Sequence, residues 1–95
     1  MFIIDLTYKE SLERIDQLIN EHIAFLDEQY ELGNFLASGR KVPRTGGVIL
    51  AKVADLEEVK RLIAQDPFQK NKLADYKITE FIPSKTSKEL SFLRE

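Results

Sequence analysis

Cysteine and tryptophan are absent from this chain of 95 residues, and histidine occurs once, at His22. Without cysteine there are no disulfides, no thiolate zinc sites and no cysteine nucleophile. With one histidine, a single side chain has its ordinary pKa inside the neutral range. One imidazole among scattered carboxylates does not make a transition-metal site, so no metal is expected. A surplus of either charge is missing too: 14 Lys and Arg against 16 Asp and Glu leave a net charge of −2. General nucleic-acid binders carry a strongly basic face, so nucleic acid is not an expected partner. No apolar run is long enough to span a bilayer, and Met1-Phe2-Ile3-Ile4-Asp5 reaches a carboxylate too soon for a signal peptide. A cytoplasmic chain with no membrane partner is the expectation.

What is present is an ordinary globular balance, 43% hydrophobic and 32% charged, sufficient for one modest core. Phe2 to Tyr8 alternates with the period of a half-buried strand. From Ser11 to Leu32 the pattern is helical, with Leu12, Ile15, Ile19, His22, Ile23, Leu26 and Tyr30 on one stripe. Either Thr7-x-x-Glu10 or Ser11 can cap its start, and Gly33 stops it. Phe35 to Arg40 and Gly47 to Val53 read as strands. Asp55-x-x-Glu58 opens a second helix with a stripe of Leu56, Val59, Leu62 and Ile63, closed by Pro67. Asp66-Pro67-x-Gln69 caps a short helix running to about Ala74, and Tyr76 to Ile82 is a fourth strand. The domain spans 1–83, leaving a tail, 84–95, whose Leu90, Phe92 and Leu93 need something to pack on.

This order, βαββαβ, predicts an α+β, ferredoxin-like fold: a four-stranded antiparallel sheet with both long helices on one face. Either alternation set of the strands carries apolar residues, Ile3, Val48 and Leu50 among them. A sheet apolar on both faces needs a second layer, and a second copy of the chain is the simplest one. A homodimer packed sheet to sheet is therefore expected.

Two features can carry chemistry. His22 is either a core-edge histidine satisfied by backbone or water, or a general acid/base tuned by a carboxylate. Asp66 is first a helix cap, yet a cap carboxylate is anionic, fixed, and able to orient an imidazole. If the two form a site, they should lie within hydrogen-bond or one-water reach, roughly 3 to 5 Å. The stretch Ser38 to Gly47 holds three cations, two hydroxyls, three glycines and a proline. It can wrap an anionic ligand, with Arg40 or Arg44 gripping a carboxylate, or it is a charged hairpin connection. It lacks the Gly-Lys-Ser/Thr ending of a Walker A loop. Gly39, inside a strand, suggests a bulge or a close backbone approach. Tyr8, Tyr30 and Tyr76 can each lend a hydroxyl to a pocket, although tyrosines at such spacing are usually core.

The ordered set His22 in Glu21-His22-Ile23-Ala24-Phe25-Leu26, Ser38-Gly39-Arg40, Pro43-Arg44-Thr45-Gly46-Gly47, Asp66-Pro67-Phe68 and Tyr76-Lys77-Ile78-Thr79-Glu80-Phe81 resembles the YciI-like (YCII-related) family. The resemblance runs from about Phe2 to Pro83. It implies a dimeric α+β barrel similar to muconolactone isomerase, with an active-site pocket around His22 and Asp66. It also implies acid/base chemistry without a cofactor, of the kind performed by a dehydrochlorinase of a chlorinated hydroxyhydroquinone. Many relatives read Ser-Gly-Pro where this chain has Ser38-Gly39-Arg40, which adds a cation at the pocket mouth. The expected function is a small cofactor-free lyase or isomerase acting on a small anionic or cyclic substrate. His22 is then the base, Asp66 its orienter, and Ser38, Gly39, Arg40 and Arg44 the substrate contacts. The alternatives are a non-catalytic ligand-binding or sensing module and a structural oligomer.

Overall fold

Strand β1 (Phe2–Tyr8) turns Phe2, Ile4 and Leu6 inward and leaves Ile3 and Thr7 outside, following the period of two in its sequence. In the computed structural model, which describes residues 1–95, it pairs antiparallel with both β3 (Gly46–Ala51) and β4 (Ala74–Glu80). Strand β2 (Phe35–Arg40) adds to the far side of β3, giving the order β2-β3-β1-β4 of the ferredoxin-like fold. Helices α1 (Leu12–Gln17), α2 (Ile19–Glu31) and α3 (Leu56–Ile63) share one core with the inner sheet face. Ile15 and Phe25 from the first two, and Val59, Leu62 and Ile63 from the third, are buried with Ile4, Leu6 and Ile49. A single turn of helix, α4 (Pro67–Lys70), precedes β4, and a 3-10 helix (Lys88–Leu93) ends the chain. No helix is long and apolar enough to cross a membrane.

Caps mark the helix ends. Ser11 accepts from Arg14 N–H at 3.2 Å, and Asp55 accepts from Glu58 N–H at 2.9 Å. Gly33, at φ 78°, closes α2 with Asn34 N–H on the Gln29 carbonyl and Gly33 N–H on that of Tyr30. That is a Schellman ending, and glycine is the residue that takes this backbone without strain.

Several expectations change. The predicted helix over Ser11 to Leu32 is two helices, broken at Leu18 (φ −112°, ψ 7°), with no glycine or proline marking the place. The buried stripe is also rotated. Leu12, Ile23 and Tyr30 are 45%, 46% and 37% exposed, while Ile15, His22, Phe25 and Gln29 are buried. Ile15 and His22 lie on the expected stripe, but hydrophobicity alone misses Gln29, a polar residue with an internal partner, since it accepts from Asn34 Nδ2 at 2.8 Å. Helix α4 ends at Lys70, because Lys72 turns left-handed (φ 56°) and Leu73 N–H returns to the Phe68 carbonyl. Strand β4 therefore runs Ala74–Glu80, leaving Phe81 and Ile82 beyond it, and β3 starts at Gly46 and ends at Ala51. The irregularity in β2 falls between Phe35 and Ala37, not at Gly39, where an added Cβ would meet nothing within 4 Å. The Gly39 carbonyl does approach its neighbour closely, 3.1 Å from where a Gly47 Cβ would sit, and the tightest approach is at Gly46, where a Cβ would run into the Leu6 carbonyl.

The outer sheet face is mixed. Ile3 is cross-strand from Leu50 and Asp5 from Val48, while Lys41 reaches Asp5 at 2.6 Å and Thr7 at 3.2 Å. In the tail, Leu93 is buried, whereas Leu90 and Phe92 are exposed and Lys52 Nζ lies 3.3 Å from the Phe92 carbonyl.

Candidate functional site

The site begins with the N-cap of α4. Asp66 takes extended backbone (φ −68°, ψ 125°), Pro67 follows at the first helical position, and Asp66 Oδ1 accepts the Phe68 N–H at 3.0 Å. The same Oδ1 accepts from His22 Nδ1 at 2.8 Å, across 44 residues of sequence. Oδ2 accepts the Tyr76 hydroxyl at 2.6 Å. Both carboxylate oxygens thus receive hydrogen bonds, although the residue is only 1% exposed. An ionised carboxylate is acceptor-only, so Nδ1 is the donor to Asp66, and in the neutral ring Nε2 is the nitrogen with the lone pair.

The imidazole is fixed in a second way. Its ring stacks on Phe68 at 4.0 Å between centroids and 6° between planes. Phe68 in turn meets the Tyr8 ring edge-on at 6.0 Å. Two residues after the N-cap, Phe68 therefore serves both as donor to Asp66 and as platform for His22. A carboxylate, a backbone amide and an aromatic plane leave the ring little freedom to rotate.

His22 borders a cavity of about 300 Å³, at the small end of the range for small-molecule sites. Ser38, Gly39, Arg40 and Arg44 border it as well; Asp66 does not, since it lies behind the imidazole. Register explains the gathering. Arg40 pairs with Gly47 and Gly47 with Leu6, so these share a row of the inner face, and Ser38 pairs with Ile49 in the next row. Gly47 contributes no side chain to its row. From the helical side, Ile19, Ile23 and Leu26 form an apolar wall, which accounts for the exposure of Ile23.

Two of these residues are engaged within the molecule. The Ser38 hydroxyl lies 2.6 Å from that of Tyr30. Arg44 Nη2 donates to Asp16 Oδ1 at 2.5 Å. That hydrogen bond lowers the Asp16 carboxyl below its ordinary range and raises the Arg44 guanidinium, to which Tyr8 adds a smaller contribution. Arg40 belongs to none of the ion pairs.

Sequence reasoning allowed Tyr76 a pocket hydroxyl but favoured a core role, and it did not single out Asp16. A signal for Tyr76 existed: on β4 it is opposite Leu6, an inward position, and a buried phenol hydroxyl needs a partner. Nothing local marks Asp16, whose partner is 28 residues away in the β2–β3 connection.

Fold and site together define a ferredoxin-like domain with a carboxylate-anchored histidine at the edge of a small cavity. The chain belongs to the YCII-related domain family, whose model matches residues 1–82. Among solved structures it is similar to 5-chloro-2-hydroxyhydroquinone dehydrochlorinase from Burkholderia phenoliruptrix, in complex with 2,5-dihydroxybenzoquinone. The two share 18% identity at a TM-score of 0.73, over 94% of this chain and 98% of that one. No curated protein matches the chain.

Burial, the nearby Asp66 charge and the hydrogen bond to it push the Tyr76 phenol far above its ordinary value of 10.0, with Tyr8 adding a little. A group with a raised folded pKa contributes stability that is complete below the unfolded value and fades as pH rises above it. Wild-type stability should therefore fall between about pH 9 and 11, and less steeply in Tyr76→Phe. At neutral pH the same variant should lose about 1 to 3 kcal/mol by leaving Asp66 Oδ2 short of a donor. Urea unfolding across pH checks both, and parallel slopes would show that Tyr76 is not held as described.

Proposed function

We propose that this protein is a small cofactor-free enzyme of lyase or isomerase type, moving a proton on a small anionic or cyclic substrate. The observation that carries this reading is the orientation of His22: Nδ1 is committed to Asp66 and the ring borders the cavity. In the proposed step, Nε2 takes a proton from the substrate, and the imidazolium that forms is stabilised by the Asp66 carboxylate. The electron pair left on the substrate either expels a leaving group from the neighbouring atom, a lyase reaction, or is reprotonated elsewhere, an isomerisation. Asp66 orients the ring and keeps its charge throughout. Tyr76 holds the second carboxylate oxygen. Ser38, Gly39, Arg40 and Arg44 border the space for substrate.

The similarity to a dehydrochlorinase bound to a small cyclic dihydroxyquinone supports a substrate of that size, because such a ring suits a cavity of about 300 Å³. A second copy of the chain belongs to the same reading. Ile3, Val48 and Leu50 on the outer face are apolar surface that a two-fold partner would cover, together with the Lys41–Asp5 pair, whose Asp5 is cross-strand from Val48.

A turnover screen of small lactones and hydroxylated or halogenated aromatic acids provides the assay. His22→Gln should fold like wild type while turnover falls about 10²-fold or more. Asp66→Asn should lose activity as well, yet keep part of its cap, because asparagine also caps well. Full activity in His22→Gln removes the catalytic assignment; a ligand bound but never converted by wild type favours a sensor. For the assembly, sedimentation should give a dimer at micromolar concentration, burying about 1,600 Å² or more in total. A monomer there contradicts the dimer.

A further inference from the structure

The cations at the cavity differ in availability. No carboxylate side chain borders the cavity, and the two guanidinium groups that do are Arg40 and Arg44. Arg44 is held by Asp16 at 2.5 Å, with Tyr8 beside it, so its guanidinium already has an anionic partner. Arg40 has no carboxylate within ion-pair distance. It ends β2 opposite Gly47, so no side chain in its row stands between it and Leu6. An unpaired guanidinium offers a planar fork that matches a carboxylate through two parallel hydrogen bonds. The helical wall of Ile19, Ile23 and Leu26 offers nothing to a second charge. A group ionised against that wall without a partner is costly.

We propose that the cavity selects small monoanions with an apolar body, that Arg40 alone holds the charged end, and that Asp16 withholds Arg44 from that task. This deepens the function proposed above and rests on the same cavity as the substrate site. The oxyanion end lies at Arg40 on the sheet edge, and the apolar body lies along the helical wall where His22 is. Charge selection is then a matter of counting: one free cation, one anion. A solvated surface arginine, the ordinary fate of an exposed cation, would show no such selection.

Benzoate, its neutral analogue benzamide and the dianion phthalate test this by NMR titration of the folded protein. Wild type should favour benzoate over benzamide by about tenfold, one charge-assisted pair's worth. Arg40→Gln should bring the two ligands within about twofold, and Arg40→Lys should restore part of the preference as a point charge without the fork. Asp16→Asn should release Arg44 and raise phthalate affinity relative to benzoate severalfold. Three results overturn the proposal: no benzoate preference in wild type, including no binding at all; a preference that survives Arg40→Gln; or an unchanged phthalate-to-benzoate ratio in Asp16→Asn. The titration involves no turnover. A failed catalytic assignment, read from the activity of His22→Gln, is therefore distinguishable from a failed charge assignment, read from ligand preference.

Discussion

Asp66 is a carboxylate with 1% exposure, and such a charge persists in a protein interior only if hydrogen bonds replace the water it has lost. Its donors come from three parts of the chain: the Phe68 amide on α4, the His22 ring on α2 and the Tyr76 hydroxyl on β4. Leaving a buried charge without its partner costs roughly 3 to 5 kcal/mol. The whole stability of a small domain is about 5 to 15 kcal/mol. One carboxylate therefore fixes how a helix, a helical turn and a strand meet. The cavity depends on that meeting, because its imidazole is the one Asp66 holds.

The chemical character of the site follows from the same constraint. With Nδ1 donating to Asp66 and one ring face lying on Phe68, Nε2 is the nitrogen left for a ligand. The carboxylate is screened from the cavity by the ring, so its charge acts on a ligand through the imidazole. Apart from His22, the charged residues that border the cavity, Arg40 and Arg44, are basic, and Arg44 is paired with Asp16. The function proposed for it, proton transfer on a small, largely apolar molecule with one anionic end, rests on these features. Affinity for strongly charged molecules does not follow from it.

Much of this was legible in the sequence, for reasons that can be named. The βαββαβ order follows from a change of period, two in Phe2–Tyr8 and near 3.6 after Ser11. The caps at Ser11, Asp55 and Asp66 act locally and are readable locally. His22 stood out as the one residue of the type whose ordinary pKa is near neutrality, and Asp66 because Asp-Pro-Phe is both a cap and part of the family pattern. The break at Leu18 had no such mark, and the burial of Gln29 depends on Asn34 beyond the helix end, which apolar periodicity does not register. Tyr76 gave a usable but undervalued signal, a polar group on an inward strand position. Asp16 gave none, because its role arises only when α1 and the β2–β3 connection are brought together. What sequence conveys least is contact between polar groups far apart in the chain, and the charge balance of this site consists of such contacts.

The central claim is that Asp66 sets the proton arrangement of His22, with Nδ1–H toward the carboxylate and the lone pair of Nε2 toward the cavity. Nitrogen-15 NMR of the histidine ring, recorded at a pH above the imidazole range, reads the tautomer directly. The account predicts the Nδ1–H tautomer in the wild-type protein. It also predicts a shift toward Nε2–H, the form favoured by free imidazole side chains, once Asp66→Asn removes the anionic acceptor. A wild-type ring protonated at Nε2 would contradict it.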